Sequence, residues 1–455
     1  MTRRPERPLT VSVVRFDGSL DSISRAIELC GGFGKLDRND RVLIKPNITY
    51  SGWALIPPYG MVTTSKMLEG ILRLLAEHGC KDVSIGEGTV AEGVGSNTRR
   101  GYKYTGIDRV ARRYGAKLFD LNEGPFERRQ LGEVKIGVSR IALDADFLIN
   151  VPVLKTHPQV KVSLGFKNLK GCLDIPSRKR FHQKGLEHLI CLLNQLLECD
   201  LTIIDGIYML EGGADTLMGL AHRKDLMIAS QDAFACDCVG ATIMGFEPSQ
   251  VGYLREYAEL RNRPIDISAI QIVGEDIEPH KEKLDWISSA EEELLSFGVT
   301  GLSVSNPGYS VCSGCYSNLI CALGIFAKAS PNRDCGDTRI CWGREQANAG
   351  TGQRTILYGN CAISKNRDDE HAVRIAGCPP TTMSTLLPLI RTLLSWPRML
   401  RMLLLGGPQL LAVRLGLYSG NLPKWKRYRS PEFDRSHFRP SLWQRMSQVF
   451  AAWRK

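Results

Sequence analysis

The stretch "TSKMLEGILRLLAEHG", residues 64–79, decides the fold class because it lies between two short apolar runs, "RVLIK" (41–45) and "DVSIG" (82–86). It begins with Thr and Ser, its apolar residues recur at spacings of three and four, and it ends in Gly. This pattern is typical of an amphipathic helix. The flanking runs contain β-branched residues and predict strands. A strand, a helix and a strand in this order predict a parallel βαβ unit.

The same alternation extends over the first 274 residues. Further runs predict strands: "LTVSVVRF" (9–16), "KLFDL" (117–121), "DFLINVPVLK" (146–155), "LTIID" (201–205), "DLMIAS" (225–230) and "ISAIQIVG" (267–274). Two more stretches predict helices, "QKGLEHLICLLNQLLE" (183–198) and "DAFACDCVGATIMG" (232–245). The sequence therefore predicts an α/β domain over residues 1–290, with a mostly parallel sheet flanked by helices. A smaller cysteine-rich domain is predicted over 300–384, and a basic amphipathic tail over 385–455.

Composition indicates a folded protein without a membrane-spanning helix. The 455 residues are 43% hydrophobic and 24% charged, which is typical of globular chains. No run of 18 uncharged apolar residues occurs, and the apolar run after the basic N-terminus is too short for a secretory signal. We therefore expect a cytoplasmic protein with reduced thiols, in which clustered cysteines indicate metal binding or catalysis.

Polar residues follow several predicted strands at the points where the strands end. Ligands bind outside the carboxyl ends of the strands in open α/β sheets, so these residues predict a binding crevice. Lysines there favour a small anionic ligand. We expect His157, Lys155 and Glu87 to be the catalytic residues: His157 and Glu87 would transfer protons, and Lys155 would hold the anion together with Lys45 and Lys167. The residues expected to bind the ligand are Lys45, Asn47, Lys167, Asn168, Lys170, Asp205 and Asp232. The alternative is that each polar residue caps a helix or faces water.

Six blocks in this region resemble the family catalogued as domain of unknown function 362. They are "VLIKPN" (42–47), "TTSKML" (63–68), "NVPVLKTH" (150–157), "GFKNLKG" (165–171), "DGI" with "EGG" (205–213) and "SQDAFACD" (230–237). Many members of that family carry ferredoxin-type [4Fe-4S] clusters, so the resemblance implies a metal cofactor. It implies no particular reaction.

Seven of the fourteen cysteines lie within residues 312–378. In "VCSGCYSNLICALGIF" (311–326), Cys312 and Cys315 form a CxxC pair that can supply two metal ligands from one turn. Cys361 and Cys378 each follow an apolar, strand-like run and are the best candidates for the other two. A zinc site, disulfides and inert buried thiols remain alternatives. Cys321, Cys335 and Cys341 have no assigned role.

The pattern "CSGC", "NC" and "GCPP" resembles the proximal [4Fe-4S] site in the small subunit of nickel–iron hydrogenases and the related complex I subunit. Those proteins use a CxxC pair, a distant single Cys, and a Cys followed by two prolines. The resemblance implies that Cys312, Cys315, Cys361 and Cys378 bind a [4Fe-4S] cluster.

The whole basic excess of the chain lies at its C-terminal end. Residues 391–455 contain thirteen Lys and Arg and two acidic residues, and four of the seven tryptophans. Apolar helix, Trp and cations together predict binding of residues 385–455 to an anionic membrane surface, at the inner face of the membrane. Packing of the tail on the protein's own core, or on a partner subunit, remains open. No nucleic-acid partner is expected, because no binding fold for it accompanies the charge.

Together these patterns predict an iron–sulfur oxidoreductase that passes electrons from the cluster to a small anionic substrate or cofactor in the crevice, with a redox partner protein as electron source. The alternative function is that of an electron-transfer or assembly protein whose α/β domain binds a ligand without transforming it. A non-redox enzyme with a purely structural cluster is a third hypothesis.

Overall fold

The computed structural model describes residues 9–49, 59–89, 98–212, 220–286, 294, 298–305, 310–330, 332–347 and 353–394. In chain order the strands of this part of the chain are β1 (Thr10–Arg15), β2 (Arg41–Pro46), β3 (Asp82–Glu87), β4 (Lys117–Asp120), β5 (Phe126–Leu131), β6 (Val134–Ser139), β7 (Phe147–Val151), β8 (Val153–His157), β9 (Lys161–Val162), β10 (Leu201–Glu211), β11 (Leu220–Ser230), β12 (Gln271–Gly274), β13 (Thr300–Val304), β14 (Asp334–Trp342), β15 (Arg354–Tyr358) and β16 (Val373–Ile375).

The helices are α1 (Leu20–Leu29), α2 (Ser65–Glu77), α3 (Thr98–Thr105), α4 (Ile107–Tyr114), α5 (Arg140–Leu143), α6 (Gly165–Asn168), α7 (Ile175–Lys184), α8 (Leu186–Leu196), α9 (Ala233–Ile243), α10 (Gly252–Arg261), α11 (Ser313–Ala329), α12 (Gly359–Lys365) and α13 (Thr382–Leu393). Short 3-10 turns cover Leu169–Cys172, Pro248–Gln250, Ile267–Ala269 and Glu278–His280.

The larger sheet has the order β12-β1-β11-β10-β7-β2-β3-β4, and β8 continues β7 and pairs with β10. Its central neighbours β10-β7, β7-β2, β2-β3 and β3-β4 are parallel, whereas β11 runs antiparallel to both β10 and β1. Helices cover both faces, with α1, α2 and α4 packed on one core and α8, α9 and α10 on the other. The predicted mixed α/β class with a mostly parallel sheet is confirmed.

Side-chain caps explain where the helices next to the sheet begin. Thr64 accepts a hydrogen bond from Met67 N at 3.2 Å and starts α2, as its Thr-Ser sequence predicts. Asp174 accepts from Ser177 N at 2.8 Å and starts α7, and Asp232 accepts from Ala235 N at 2.8 Å and starts α9. Each cap satisfies an N–H group that has no partner within its helix.

The second sheet is small and parallel, with the order β13-β14-β15-β16. Its core contains Leu323 and Phe326 of α11, Ile340 of β14 and Leu389 of α13. The apolar runs that precede Cys361 and Cys378 are strands β15 and β16, as predicted.

Three local predictions differ from the structure. The run 146–155 is two strands, because Pro152 interrupts it between β7 and β8. The stretch 183–198 is divided at Gly185, which has a φ of 104° and separates α7 from α8. The β5-β6 ribbon was not predicted, because β5 is rich in charged residues and largely exposed, although β6 is mostly buried.

The predicted boundary at residue 385 falls inside α13, which packs its Leu386, Leu389 and Leu393 on the smaller core. From residue 395 onward the predicted tail lies outside the described residues. Among the helices that the structure describes, none combines the length and apolarity needed to cross a bilayer.

Candidate functional site

The carboxyl ends of β2, β3 and β8 meet at one edge of the large sheet, where they bring together Lys45, Glu87, Lys155 and His157. The segment after β9, which includes α6, adds Lys167, Asn168 and Lys170 to the same edge. The parallel sheet therefore assembles most of the predicted crevice residues.

A buried ion pair lies at the centre of this edge. Lys45 Nζ is 2.7 Å from Glu87 Oε1, and the two side chains are 1% and 3% exposed. Glu87 also accepts hydrogen bonds from Ile48 N and Gly88 N, both at 2.8 Å, and Lys45 donates to Pro46 O at 2.7 Å. A Cβ at Gly171 would overlap the Glu87 carboxylate and the Lys45 amine, so only glycine fits there. The ion pair thus joins β2, β3 and the segment around Gly171.

Asparagine side chains extend the network from this ion pair. Asn168 Oδ1 accepts from Asn47 Nδ2 at 2.9 Å, and Asn168 Nδ2 donates to Asn150 Oδ1 at 2.8 Å. Asn150 Nδ2 in turn donates to Gly165 O at 2.9 Å. All three asparagine side chains are buried, so each needs these partners to offset the loss of water.

The lysines of the crevice have different environments. Lys155 donates to Asn47 Oδ1 and Met61 O, both at 2.7 Å, and burial together with the charge of Lys167 lowers its pKa to about 7. Lys167 donates to Ser163 Oγ at 3.4 Å, and burial lowers its pKa to about 8. Within the described residues, no carboxylate forms an ion pair with Lys167. Of Lys155 and Lys167, Lys167 therefore has the ammonium group that is better placed to bind an anion.

His157 lies beside this positive charge in its neutral form. Its Nδ1 accepts a hydrogen bond from Gln159 N at 3.2 Å, which leaves the proton on Nε2. Burial, and the charge of Lys167, lower the pKa of His157 well below its usual range. Lys170 Nζ lies 3.0 Å from Nε2 of the buried His182, on α7. The crevice thus combines lysines with neutral imidazoles.

The two predicted aspartates occupy different places. Asp205 Oδ2 accepts from both the N–H and the hydroxyl of Thr64 at 2.8 Å, so it supports the start of α2. Asp232 follows β11, which runs antiparallel to β10 and therefore ends at the opposite edge of the sheet. There Asp232 forms a 2.9 Å ion pair with Arg263. The structure does not bring Asp232 together with the other predicted residues.

The four predicted cysteines line one pocket of the smaller sheet. Cys312 caps α11 and Cys315 lies in its first turn, while Cys361 lies in the first turn of α12 and Cys378 follows β16. Among the described residues that line this pocket there is no carboxylate or imidazole, so its ionisable metal ligands are the four thiols. Four thiolates of this kind suit zinc or an iron–sulfur cluster.

The thiols share the pocket without meeting at a common point. Nowhere in the described residues do three or more His, Cys, Asp or Glu side chains form a group that could hold a metal ion. Hydrogen bonds from the Cys315 side chain and N–H lower the pKa of Cys312 to about 6, and the charge of Lys179 contributes. Burial, and then the neighbouring Cys378 and Cys312, raise the pKa of Cys361.

The remaining cysteines of this region lie elsewhere. Cys335 and Cys341 are buried in β14, and the side chain of Cys321 lies outside the described part of the chain. The cysteines whose side chains are described are free thiols.

Helix α7 lies between the crevice and the thiol pocket. Arg178 contacts the carbonyl oxygen of Gly88 at the end of β3, and His182 contacts Lys170. Lys179 and Gln183, which directly follow Arg178 and His182 in the sequence, line the thiol pocket. Next to α7, Gln159 Nε2 donates to Val311 O at 2.8 Å, immediately before Cys312. The two predicted sites are therefore adjacent.

Sequence patterns alone did not indicate Asn150, Arg178, Lys179 or His182. Asn150 lies inside an apolar strand, where a single buried amide has no periodic signal. Arg178, Lys179 and His182 belong to "SRKRFHQK" (177–184), a composition typical of a solvated basic helix. Only its packing between two sites gives these residues a role.

We expect Lys45→Met to destabilise the protein by about 3–5 kcal/mol, because it leaves the Glu87 carboxylate buried without its cation. Combining it with Glu87→Gln should recover part of the loss. Urea unfolding measures the free energies. The matched control is Arg99→Met, whose ion pair with Glu123 is 64% and 58% exposed, so its loss should change the free energy of unfolding far less. Equal losses for the two single variants would contradict the assignment.

Comparison with known proteins yields one curated relative and one solved structure of note. A thylakoid-associated protein of Synechocystis sp. is 28% identical over 242 residues, which is 51% of this chain and 72% of the relative. The lactate racemase apoprotein from Thermoanaerobacterium thermosaccharolyticum covers 86% of this chain and 83% of its own, with 12% identity and a TM-score of 0.36. A likeness at that score assigns no chemistry.

A family model matches the part of the chain that forms most of the large sheet and its crevice. The match ends well before Cys312, so it does not cover the four cysteines of the thiol pocket. It agrees with the resemblance that the six sequence blocks predict. Residues 42–242 match the family described as "Domain of unknown function (DUF362)".

Proposed function

We propose that this chain is an iron–sulfur protein in which Cys312, Cys315, Cys361 and Cys378 hold a [4Fe-4S] cluster beside an anion-binding crevice. The observation that carries the proposal is that these four cysteines line one pocket, to which the described part of the chain contributes no carboxylate or imidazole. The sulfurs come from three separate parts of the small domain: the start of α11, the start of α12 and the segment after β16.

When bound, the cluster supplies one-electron transfer. In the crevice, Lys167 would bind the anionic group of the ligand, because its side chain has no carboxylate partner among the described residues. His157 would hold a proton at Nε2, since Nδ1 accepts from Gln159 N. Lys45 and Glu87 are bonded to each other and to the backbone, so we assign them the role of holding the crevice together. Lys155 would support Asn47.

A specific observation also favours the alternative function. Of the three predicted catalytic residues, Glu87 and Lys155 are bonded to partners within the protein. A crevice with so few side chains available for catalysis suits a protein that binds a ligand without transforming it. Such a protein would pass its electrons to a partner. In that case the redox partner protein, rather than the ligand, would receive the electrons.

Cluster binding is tested by anaerobic purification with iron and sulfide analysis. We expect a brown protein with about four irons and four sulfides per chain. Cys361→Ala and Cys378→Ala should lose most of this content. Cys335→Ala and Cys341→Ala, whose thiols are buried in β14, are the controls and should retain it. Stoichiometric zinc in the wild type, or equal losses in all four variants, would contradict the proposal.

Anion binding is tested with inorganic phosphate as the probe. We expect phosphate to raise the melting temperature of the wild type and Lys167→Gln to weaken its apparent affinity at least about tenfold, a loss of about 1.4 kcal/mol. Lys117→Gln is the control, because Lys117 is 62% exposed at the start of β4. A Lys167→Gln protein that responds to phosphate like the control would place the anion elsewhere.

We further propose that the predicted tail binds an anionic membrane surface through the residues that follow α13. The support is the sequence of the tail, with thirteen cations and two acids from residue 391 onward. The name of the Synechocystis relative, a thylakoid-associated protein, agrees with this proposal. In this view the protein is a peripheral one that receives electrons near the membrane.

Vesicle sedimentation tests this proposal with the full chain. We expect binding to phosphatidylglycerol vesicles that weakens with salt, and little binding to phosphatidylcholine vesicles. Neutralising four tail cations should reduce binding strongly: Lys424, Lys426, Arg427 and Arg429. Neutralising four exposed cations of the α/β domain should not: Arg99, Arg112, Lys117 and Arg140. Equal binding of the two variants would contradict a role of the tail.

A further inference from the structure

Lys179 connects the α/β domain to the thiol pocket. It lies on α7, and its Nζ is 3.6 Å from Cys378 Sγ and 3.4 Å from Cys378 O. The same side chain lines the pocket together with the four cysteines. Cys378 is exposed, whereas the other three cysteines of the pocket are partly buried. The ammonium group of Lys179 therefore lies at the most exposed corner of the pocket.

The position of Lys179 is determined by the packing of α7. Asp174 caps the helix and also forms a 2.6 Å ion pair with Arg128 of the β5-β6 ribbon. On the other side of the helix, Phe181 and His182 are buried. These contacts hold the helix against the α/β domain and direct Lys179 at Cys378. Because its helix is held by these contacts, Lys179 has a more defined position than a lysine that extends freely into solvent.

A positive hydrogen-bond donor next to a cluster sulfur has a definite effect on redox chemistry. One-electron reduction adds one negative charge to the cluster and its thiolates, so a nearby cation stabilises the reduced form more than the oxidised form. Hydrogen bonds to ligand sulfurs act in the same direction. The effect is largest where water does not screen the charge, and Lys179 is only partly exposed.

We propose that Lys179 is a positioning residue that raises the reduction potential of the cluster through its contact with Cys378. This inference rests on the proposed function, because it needs the cluster. It adds that the α/β domain, through α7, controls how readily the cysteine domain accepts an electron. The residues of α7 that contact the crevice, Arg178 and His182, are neighbours of Lys179 on the same helix.

A purely structural role is the competing explanation, in which Lys179 only packs α7 against the small domain. It predicts altered stability of the variants without a change in potential. The two roles are separated by variants that differ in charge and in hydrogen bonding. Lys179→Arg keeps both, Lys179→Gln keeps a donor without the charge, and Lys179→Met removes both.

The experiment is spectroelectrochemical titration of the anaerobically purified full chain, with iron content and urea unfolding measured in parallel. We expect the midpoint potential to fall in the order wild type and Lys179→Arg, then Lys179→Gln, then Lys179→Met. Lys184→Met is the control, because Lys184 is exposed at the end of α7 and does not line the pocket. Its potential should equal that of the wild type.

The possible outcomes separate the inference from the function on which it rests. Unchanged potentials in Lys179→Gln and Lys179→Met, with iron retained, overturn the inference and leave the proposed function intact. A wild type without iron overturns the proposed function itself. If Lys179→Met loses its cluster, the potentials of Lys179→Gln and Lys179→Arg are compared instead, since both variants retain a hydrogen-bond donor and differ in charge.

Discussion

The buried ion pair between Lys45 and Glu87 is the interaction on which the crevice depends. Two charges removed from water must find all their hydrogen bonds within the protein, and these two take theirs from the backbone of the loops that follow β2 and β3. The same requirement excludes any side chain at Gly171. One ion pair thus determines the paths of three chain segments at the edge of the sheet.

This constraint divides the lysines of the crevice into two kinds. Lys45 and Lys155 are surrounded by acceptors of the protein itself, and their amines form the framework of the site. Among the described residues, Lys167 donates to one neutral acceptor, Ser163 Oγ, at 3.4 Å, and it lies beside the neutral His157. Because burial penalises its charge, an anion bound there would be stabilised by restoring a partner to that charge. The amines of Lys45 and Lys155 are bonded within the protein, whereas the capacity to bind an anion lies with Lys167 beside them.

Helix α7 contributes residues both to the crevice of the large sheet and to the thiol pocket of the small sheet. Successive residues of a helix differ by about 100° in direction, so neighbours such as Arg178 and Lys179 can face different surroundings. One faces the strand ends of the large sheet and the other the thiols of the small one. The same ten-residue helix therefore contacts both the crevice and the pocket.

Local sequence patterns determined the strands, most helices and the parallel α/β class, because hydrophobic periodicity and the order of elements along the chain can be read from the sequence. They also determined the grouping of Lys45, Glu87, Lys155 and His157, which follow strands of that sheet. They also pointed to the four cysteines that line the pocket. Only the tertiary structure decided that Asp232 lies at the opposite edge, since the antiparallel direction of β11 depends on its partner strands. It alone decided that Lys179 contacts Cys378, which lies 199 positions further along the chain. Such contacts arise from the packing free energy of the whole chain, which no short stretch of residues contains.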